Sequence, residues 1–222
     1  MRGEIYILRA FKRLSPERQG CILNAATHLF AKEGYHHASI SNICRDAGIS
    51  NGALYKYFEN KESLFFFILD YTTNKLETEV YKKNIANSKS LYDDIYNLLK
   101  GLKQFIDNYY DYVSIYCDLG SSSMNRFASK TSERLRKSTS IYTIKMVEES
   151  KKRGDIDQNV ENEVAAYLID NYITLFAYSL VSEYHSKRVN LFFSSKNKVL
   201  SKDDKINLTI QSIKLALSKN SS

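Results

Sequence analysis

One proline, Pro16, and eight glycines are all that punctuate 222 residues, so the chain offers few points at which a helix must stop. β-rich chains need more turns than this, and the hydrophobic periodicity agrees with an all-α fold. Ser15-Pro16-Glu17 supplies a hydroxyl cap, a proline suited to the first helical position and an acid at the positive end of the dipole. Behind it, Ile22, Ala25, Ala26, Leu29 and Phe30 recur at helical spacing, and Gly34 is expected to end that helix. Ser39 is expected to cap a second helix ending at Gly48, Ser50 a third, and Asn60 a fourth that runs through Leu64, Ile68, Tyr71 and Leu76 to about Tyr81.

Beyond the fourth helix, turn-like stretches fall near residues 84–89, 107–108, 120–125, 154–159 and 194–203, with helical segments between them. The most apolar segment, residues 160–186, carries Val164, Leu168, Ile169, Tyr172, Ile173, Phe176 and Leu180 around more than half of a helix circumference. Such a helix has to be covered on several sides. Asp170 and Asn171 interrupt it, so no clean membrane span is expected. Cys21, Cys44 and Cys117 show neither disulfide nor zinc spacing, which points to a reducing cytoplasm. His28, His36, His37 and His185 show no ligand spacing, and no glycine-rich phosphate loop or nucleophile elbow is present, so neither a metal, a cofactor nor an enzyme is expected.

The net charge is +7, and residues 1–61 are the denser positive part, with nine Lys/Arg against five Asp/Glu. This suits nucleic acid or an anionic surface without proving either. The short second and third helices, joined by a tight turn at Gly48-Ile49, make a helix-turn-helix candidate. In the third helix, Leu54 and Phe58 are four apart and can face inward together. Asn51 and Tyr55 then form one outward row, and Gly52 and Lys56 the next. Asn51 suits an adenine edge, Gly52 lets the backbone approach DNA closely, and Tyr55, Tyr57 and Lys56 suit phosphates. The plainer alternative is that Gly52 only lowers helix propensity and that the tyrosines are packing residues. Lys61 sits in the first turn of the fourth helix, where a cation opposes the dipole unless an anion is bound. Ser39 and Ser50 also stand at helix N-termini suited to phosphate.

The stretch ILNAATHLFAKEGYHHASISNICRDAGISNGALYKYFENKESLF, residues 22–66, resembles the DNA-binding domain of the TetR family of bacterial transcriptional regulators. The resemblance implies an all-helical homodimer, with a helix-turn-helix domain at residues 1–61 and a helical effector-binding and dimerisation domain at 62–222. It further implies a repressor released from double-stranded operator DNA by a small effector. On the same ground, Ser39, Ser50, Asn51, Gly52, Ala53, Tyr55, Lys56, Tyr57 and Lys61 are expected to touch DNA. Asn51 and Lys56 depart from residues common there, which leaves the operator sequence open. Arg2, Arg9, Lys12 and Arg13 could reach a neighbouring minor groove or belong to a merely solubilising tail.

For the effector, Phe105, Tyr109, Tyr112 and Tyr116 would align on an unbroken helix, whereas a break near Asn108 would scatter them. With Tyr142, Met146, Tyr172 and Phe176 they could line a cavity for a small apolar or aromatic ligand, although a core packed with aromatics gives the same pattern. The 160–186 segment and a helix carrying Ile206, Ile210, Ile213, Leu215 and Leu217 are expected to pair with their symmetry mates. Other classes stay open: a TetR-like activator, a regulator whose C-terminal domain senses a protein, a helical ligand-binding or adaptor protein that uses the helix-turn-helix as an interaction module, or an all-α enzyme.

Overall fold

The computed structural model describes residues 9–84, 88–135, 140–193 and 199–217. Every regular element among them is helical, as expected. Two compact units form, Met1–Thr72 with Asp111–Met124, and Thr73–Tyr110 with Asn125–Ser222. The boundary expected between residues 61 and 62 falls inside the first unit. Its reason is packing: Leu64, Phe65, Ile68 and Leu69 are each at most 1% exposed, and the Phe65 ring lies 5.3 Å from Phe30 and 4.9 Å from Tyr35.

The first unit contains α1 (Pro16–His37), α2 (Ile40–Asp46), α3 (Asn51–Tyr55) and most of α4 (Lys61–Leu76). All four expected caps form. The hydroxyls of Ser15, Ser39 and Ser50 accept N–H bonds from Arg18, Asn42 and Ala53 at 3.3, 3.1 and 3.1 Å, and Asn60 Oδ1 accepts from the Ser63 N–H at 2.8 Å. Gly34 interrupts α1 without ending it. Its φ of 74° and ψ of 162° are reached readily by glycine, and a further helical turn follows to His37. Part of the N-terminal arm is packed, because residues 9–12 are helical and Phe11 is fully buried, 5.0 Å from Phe58 and 5.2 Å from Phe67 between ring centroids. Arg2 lies outside the described residues.

The Asp111–Asp118 part of α6 (Tyr110–Asp118) also belongs to this unit. Three polar contacts hold it to α1 and α4. Tyr112 Oη donates to Asn24 Oδ1 at 3.1 Å, Tyr116 Oη donates to the Leu69 carbonyl at 2.7 Å, and His28 Nδ1 lies 2.8 Å from Asp111.

In the second unit, α4 runs on into a π-helical turn, Glu77–Tyr81, and a last turn, Lys82–Asn84. α5 (Leu91–Asn108), α7 (Ala128–Leu135), α8 (Ile141–Arg153), α9 (Asn162–Val181), α10 (Glu183–Phe193) and α11 (Lys202–Leu217) follow. α9 is the central helix and packs against α5, α8, α10 and α11. Contrary to expectation, α9 is long and apolar enough to cross a membrane by length and composition. Here, however, Ala165, Ala166, Ile169, Ile173 and Phe176 are buried in a helical core.

The expected 160–186 helix breaks at Ser182, whose φ of −102° and ψ of 121° are extended. Lys205 braces the break. Its ammonium donates to the Ser179 carbonyl at 2.7 Å and to Ser186 Oγ at 3.0 Å, satisfying a C-terminal carbonyl of α9. Burial, with Lys202 nearby, pushes the pKa of Lys205 down.

Candidate nucleic-acid interface

α3 shows the facing that its spacing predicts. Leu54 and Phe58 are 1% and 2% exposed, whereas Asn51, Gly52, Tyr55 and Lys56 are exposed and Ala53 and Tyr57 half-buried. Two buried apolar residues thus turn a polar, aromatic and nearly flat face outward. Tyr57 is shared between the two readings of the sequence, since its ring also lies 6.1 Å from Phe11.

The turn between α2 and α3 is fixed from three directions. Gly48 takes a φ of 62°, and the Ile49 N–H donates to the Cys44 carbonyl at 2.9 Å. Arg18 reaches across from α1, its Nη2 donating to the Gly48 carbonyl at 2.7 Å. Asn51 Nδ2 donates to Ser41 Oγ at 3.1 Å, which steers the amide while leaving its carbonyl oxygen and second amide proton for a base edge. Arg18, Ser41 and Phe11 have no local signature as site-supporting residues, because their partners lie far along the chain. Sequence reading missed all three.

Lys61 has an intramolecular answer to the charge conflict at the start of α4. Its ammonium donates to the His36 and Ala38 carbonyls at 3.1 and 3.0 Å and lies 4.7 Å above the Tyr35 ring. A cation beside carbonyls at the end of α1 interacts favourably with that helix's dipole, so the position requires no phosphate. Lys61→Met is therefore expected to lower stability by ~1.5–3 kcal/mol in chemical denaturation, the range for hydrogen bonds to a charged group.

The eight expected effector residues do not come together in one unit. α5 ends at Asn108, and Tyr109 at φ −133° and ψ 43° breaks the spacing on which their alignment depended. Tyr112 and Tyr116 belong to the first unit, while Phe105, Tyr109, Tyr142, Met146, Tyr172 and Phe176 belong to the second. Within the second, the Phe105 and Tyr109 rings are 4.9 Å apart, and Phe105 lines a cavity of about 290 Å3 with Thr78, Gln104 and Asn108. Tyr142 Oη donates to Glu77 at 2.8 Å, and its ring lies 5.4 Å from Tyr81. Met146 and Phe176 are buried, and Tyr172 is half-buried.

Residues 22–67 match the family model described as bacterial regulatory proteins, tetR family. The HTH-type transcriptional regulator HbdR of Aromatoleum sp. (strain CIB) is 37% identical over 68 residues, 31% of this chain and 30% of that protein. The fatty acid metabolism regulator protein of Bacillus subtilis (strain 168) is 35% identical over 72 residues, 31% of this chain and 37% of that protein. The chain thus spans about a third of the length of these curated relatives. Similarity of fold extends further. The fatty acid degradation regulator FadR of Bacillus halodurans superposes with a TM-score of 0.73 at 17% identity, over 94% of this chain and 100% of that one. FadR of Bacillus subtilis in complex with stearoyl-CoA gives 0.68 at 18%, over 89% and 97%.

Proposed function

We propose that the chain, whose residues 22–67 match the family model described as bacterial regulatory proteins, tetR family, is a cytoplasmic, sequence-specific DNA-binding regulator, a repressor released from its operator by a small effector. The observation that carries this reading is the outward face of α3: Asn51, Gly52, Tyr55 and Lys56 are all exposed on a helix whose other side is locked by Leu54 and Phe58. Such a face can enter a major groove, with Asn51 at a base edge and Tyr55, Lys56, Ser39 and Ser50 towards phosphates. Ala53 and Tyr57 flank the contact, and Lys61 supports it by holding the end of α1 to the start of α4.

A gel shift on the DNA upstream of the chain's own gene tests the reading. Binding that is absent there and on random duplex at low salt would leave the adaptor reading in its place. Lys56→Ala is expected to weaken binding to all sequences and to lower the slope of log affinity against log salt by about one unit. Lys61→Met should leave that slope unchanged, because its charge is spent on protein carbonyls. A reduced slope for Lys61→Met would reassign that residue to phosphate.

The regulator acts as a homodimer in this proposal. On α9, Val164, Tyr167 and Leu175 are 50%, 72% and 46% exposed at helical spacing, and Leu215 of α11 is 84% exposed. Of the other residues expected in this interface, Ile206, Ile213 and Leu217 are buried within their own unit and Ile210 is half-buried, so α11 offers a narrower face than its sequence suggests. Two α3 helices would then lie about 34–36 Å apart, or a multiple of it, on a near-palindromic operator. Tyr167→Glu, at a position that contributes little to the core, is expected to shift the chain to monomer in light scattering at micromolar concentration.

Tyr142, Met146, Tyr172 and Phe176 are the proposed walls for an apolar or aromatic effector. The fatty-acid regulators among the similar proteins make stearoyl-CoA a reasonable first probe. By linkage, an effector that lowers operator affinity must itself bind operator-bound protein more weakly by the same factor, ~1–3 kcal/mol for a useful switch. Calorimetry with and without operator DNA checks this, and equal affinities would separate that ligand from the switch.

A further inference from the structure

The first unit holds a cavity of about 260 Å3 for which DNA binding has no use. Its volume lies just below the ~300–1,000 Å3 of drug-sized sites, which suits a small ligand. Phe30, Tyr35, Phe65, Ile115 and Met124 give it apolar walls. The Phe30 and Tyr35 rings stack at 22° with centroids 6.0 Å apart, and Phe65 meets Tyr35 at 64° and 4.9 Å. Gly34 also lines it, and a Cβ built there would meet no atom within 4 Å, so the interruption of α1 leaves open space above its backbone. His36 Nε2 contacts the Ser123 carbonyl at 2.9 Å and ties the end of α1 to the segment following α6.

The charge of the lining selects the ligand. Among the described residues that line the cavity, Asp118 is the one carboxylate, and His36 and His37 are the only basic side chains. Asp118 is exposed and makes no ion pair among the described residues, while desolvation on its inner side pushes its pKa up. A cation placed beside it would form an ion pair at the rim of the cavity. The Tyr35 ring already carries the Lys61 ammonium 4.7 Å from its centroid, so the charged group of a ligand is placed at Asp118 and not on that ring. An anion would meet the Asp118 carboxylate at the rim.

We propose that this cavity binds a small aromatic cation, with its ring among Phe30, Tyr35 and Phe65 and its ammonium or amidinium group on Asp118. The site is distinct from the effector walls proposed in the second unit and favours the opposite charge to an acyl-CoA.

Calorimetry of the full chain, without DNA, tests it with tryptamine, phenethylamine and benzamidine against indole-3-acetate, 3-phenylpropionate and benzoate. At least one of the cations should bind one site per chain with a Kd below ~1 mM, and the acids should not saturate in that range. Asp118→Asn is expected to weaken the cation at least about tenfold, and Ser121→Trp, which places a bulky ring on the exposed lining, to remove binding. Both positions are exposed, so both variants should keep the wild-type thermal transition. The proposal is overturned if none of the three cations saturates, if the acids bind as well, or if both variants bind like wild type. Because no DNA is present, none of these results depends on whether the chain is a repressor.

Discussion

Arg153→Ala is expected to destabilise the second unit by ~3–5 kcal/mol, the usual cost of leaving a buried charge without its partner. Arg153 stands at the end of α8, where a cation complements the dipole, and Asp94 lies in the first turn of α5, where an anion does. Arg153 Nη2 donates to Asp94 Oδ2 at 2.9 Å, and the Asp94 side chain is only 6% exposed. Arg153 Nε donates to Asp155 Oδ2 at 2.9 Å, and the same oxygen accepts the Leu91 N–H at 2.8 Å. The guanidinium therefore joins the end of one helix to the start of another through two carboxylates. Removing it leaves the buried Asp94 carboxylate without that partner. In urea denaturation, Arg153→Ala should shift the midpoint strongly, whereas Asp94→Leu with Arg153→Met should lie much closer to wild type. A double variant as unstable as Arg153→Ala would mean that the pair contributes through attraction and not through avoided burial.

Residues whose partners lie within a few positions are legible in the sequence. The caps at Ser15, Ser39, Ser50 and Asn60 each bond a backbone N–H three residues on, and the inward pair Leu54 and Phe58 follows from spacing alone. Long-range partners are not legible. Lys61 is the clearest case: its conflict with the α4 dipole is visible in the sequence, but the carbonyls that resolve it are 25 and 23 residues away. Reading the conflict as a bound phosphate was the local solution, and the protein uses a tertiary one. Much the same holds for Tyr112 and Tyr116. Aromatic residues at helical spacing look alike whether they wall a cavity or carry hydroxyls to Asn24 and Leu69 on other helices. The division of compact units at residue 72 is not legible for a related reason, since periodicity cannot say on which neighbours the first turns of α4 pack.

Gly52→Glu is expected to separate the two readings of α3 more sharply than any alanine variant, because its effects on stability and on DNA binding have opposite signs. Gly52 is exposed, and the nearest atom to a Cβ built there is Ser50 Oγ at 4.0 Å, so a side chain meets no obstacle in the free protein. Replacing glycine inside a helix recovers ~0.5–1 kcal/mol, and an acid in the first turn adds ~0.3–1 kcal/mol from the dipole. Thermal unfolding should thus occur at an equal or higher temperature. On DNA the same change puts a carboxylate and its bulk where the backbone of α3 would approach the groove, between Asn51 and Tyr55 and beside phosphates. Like charges brought together at an interface cost several kcal/mol, and at ~1.4 kcal/mol per factor of ten operator affinity should fall by a hundredfold or more. Gly52→Ala, which adds one methyl and no charge, should keep the stability gain with a much smaller loss of affinity. If Gly52→Glu binds operator within about threefold of wild type, a difference of under 1 kcal/mol, the outward face of α3 is not the surface that meets DNA, and Gly52 is there only because nothing in the fold forbids it.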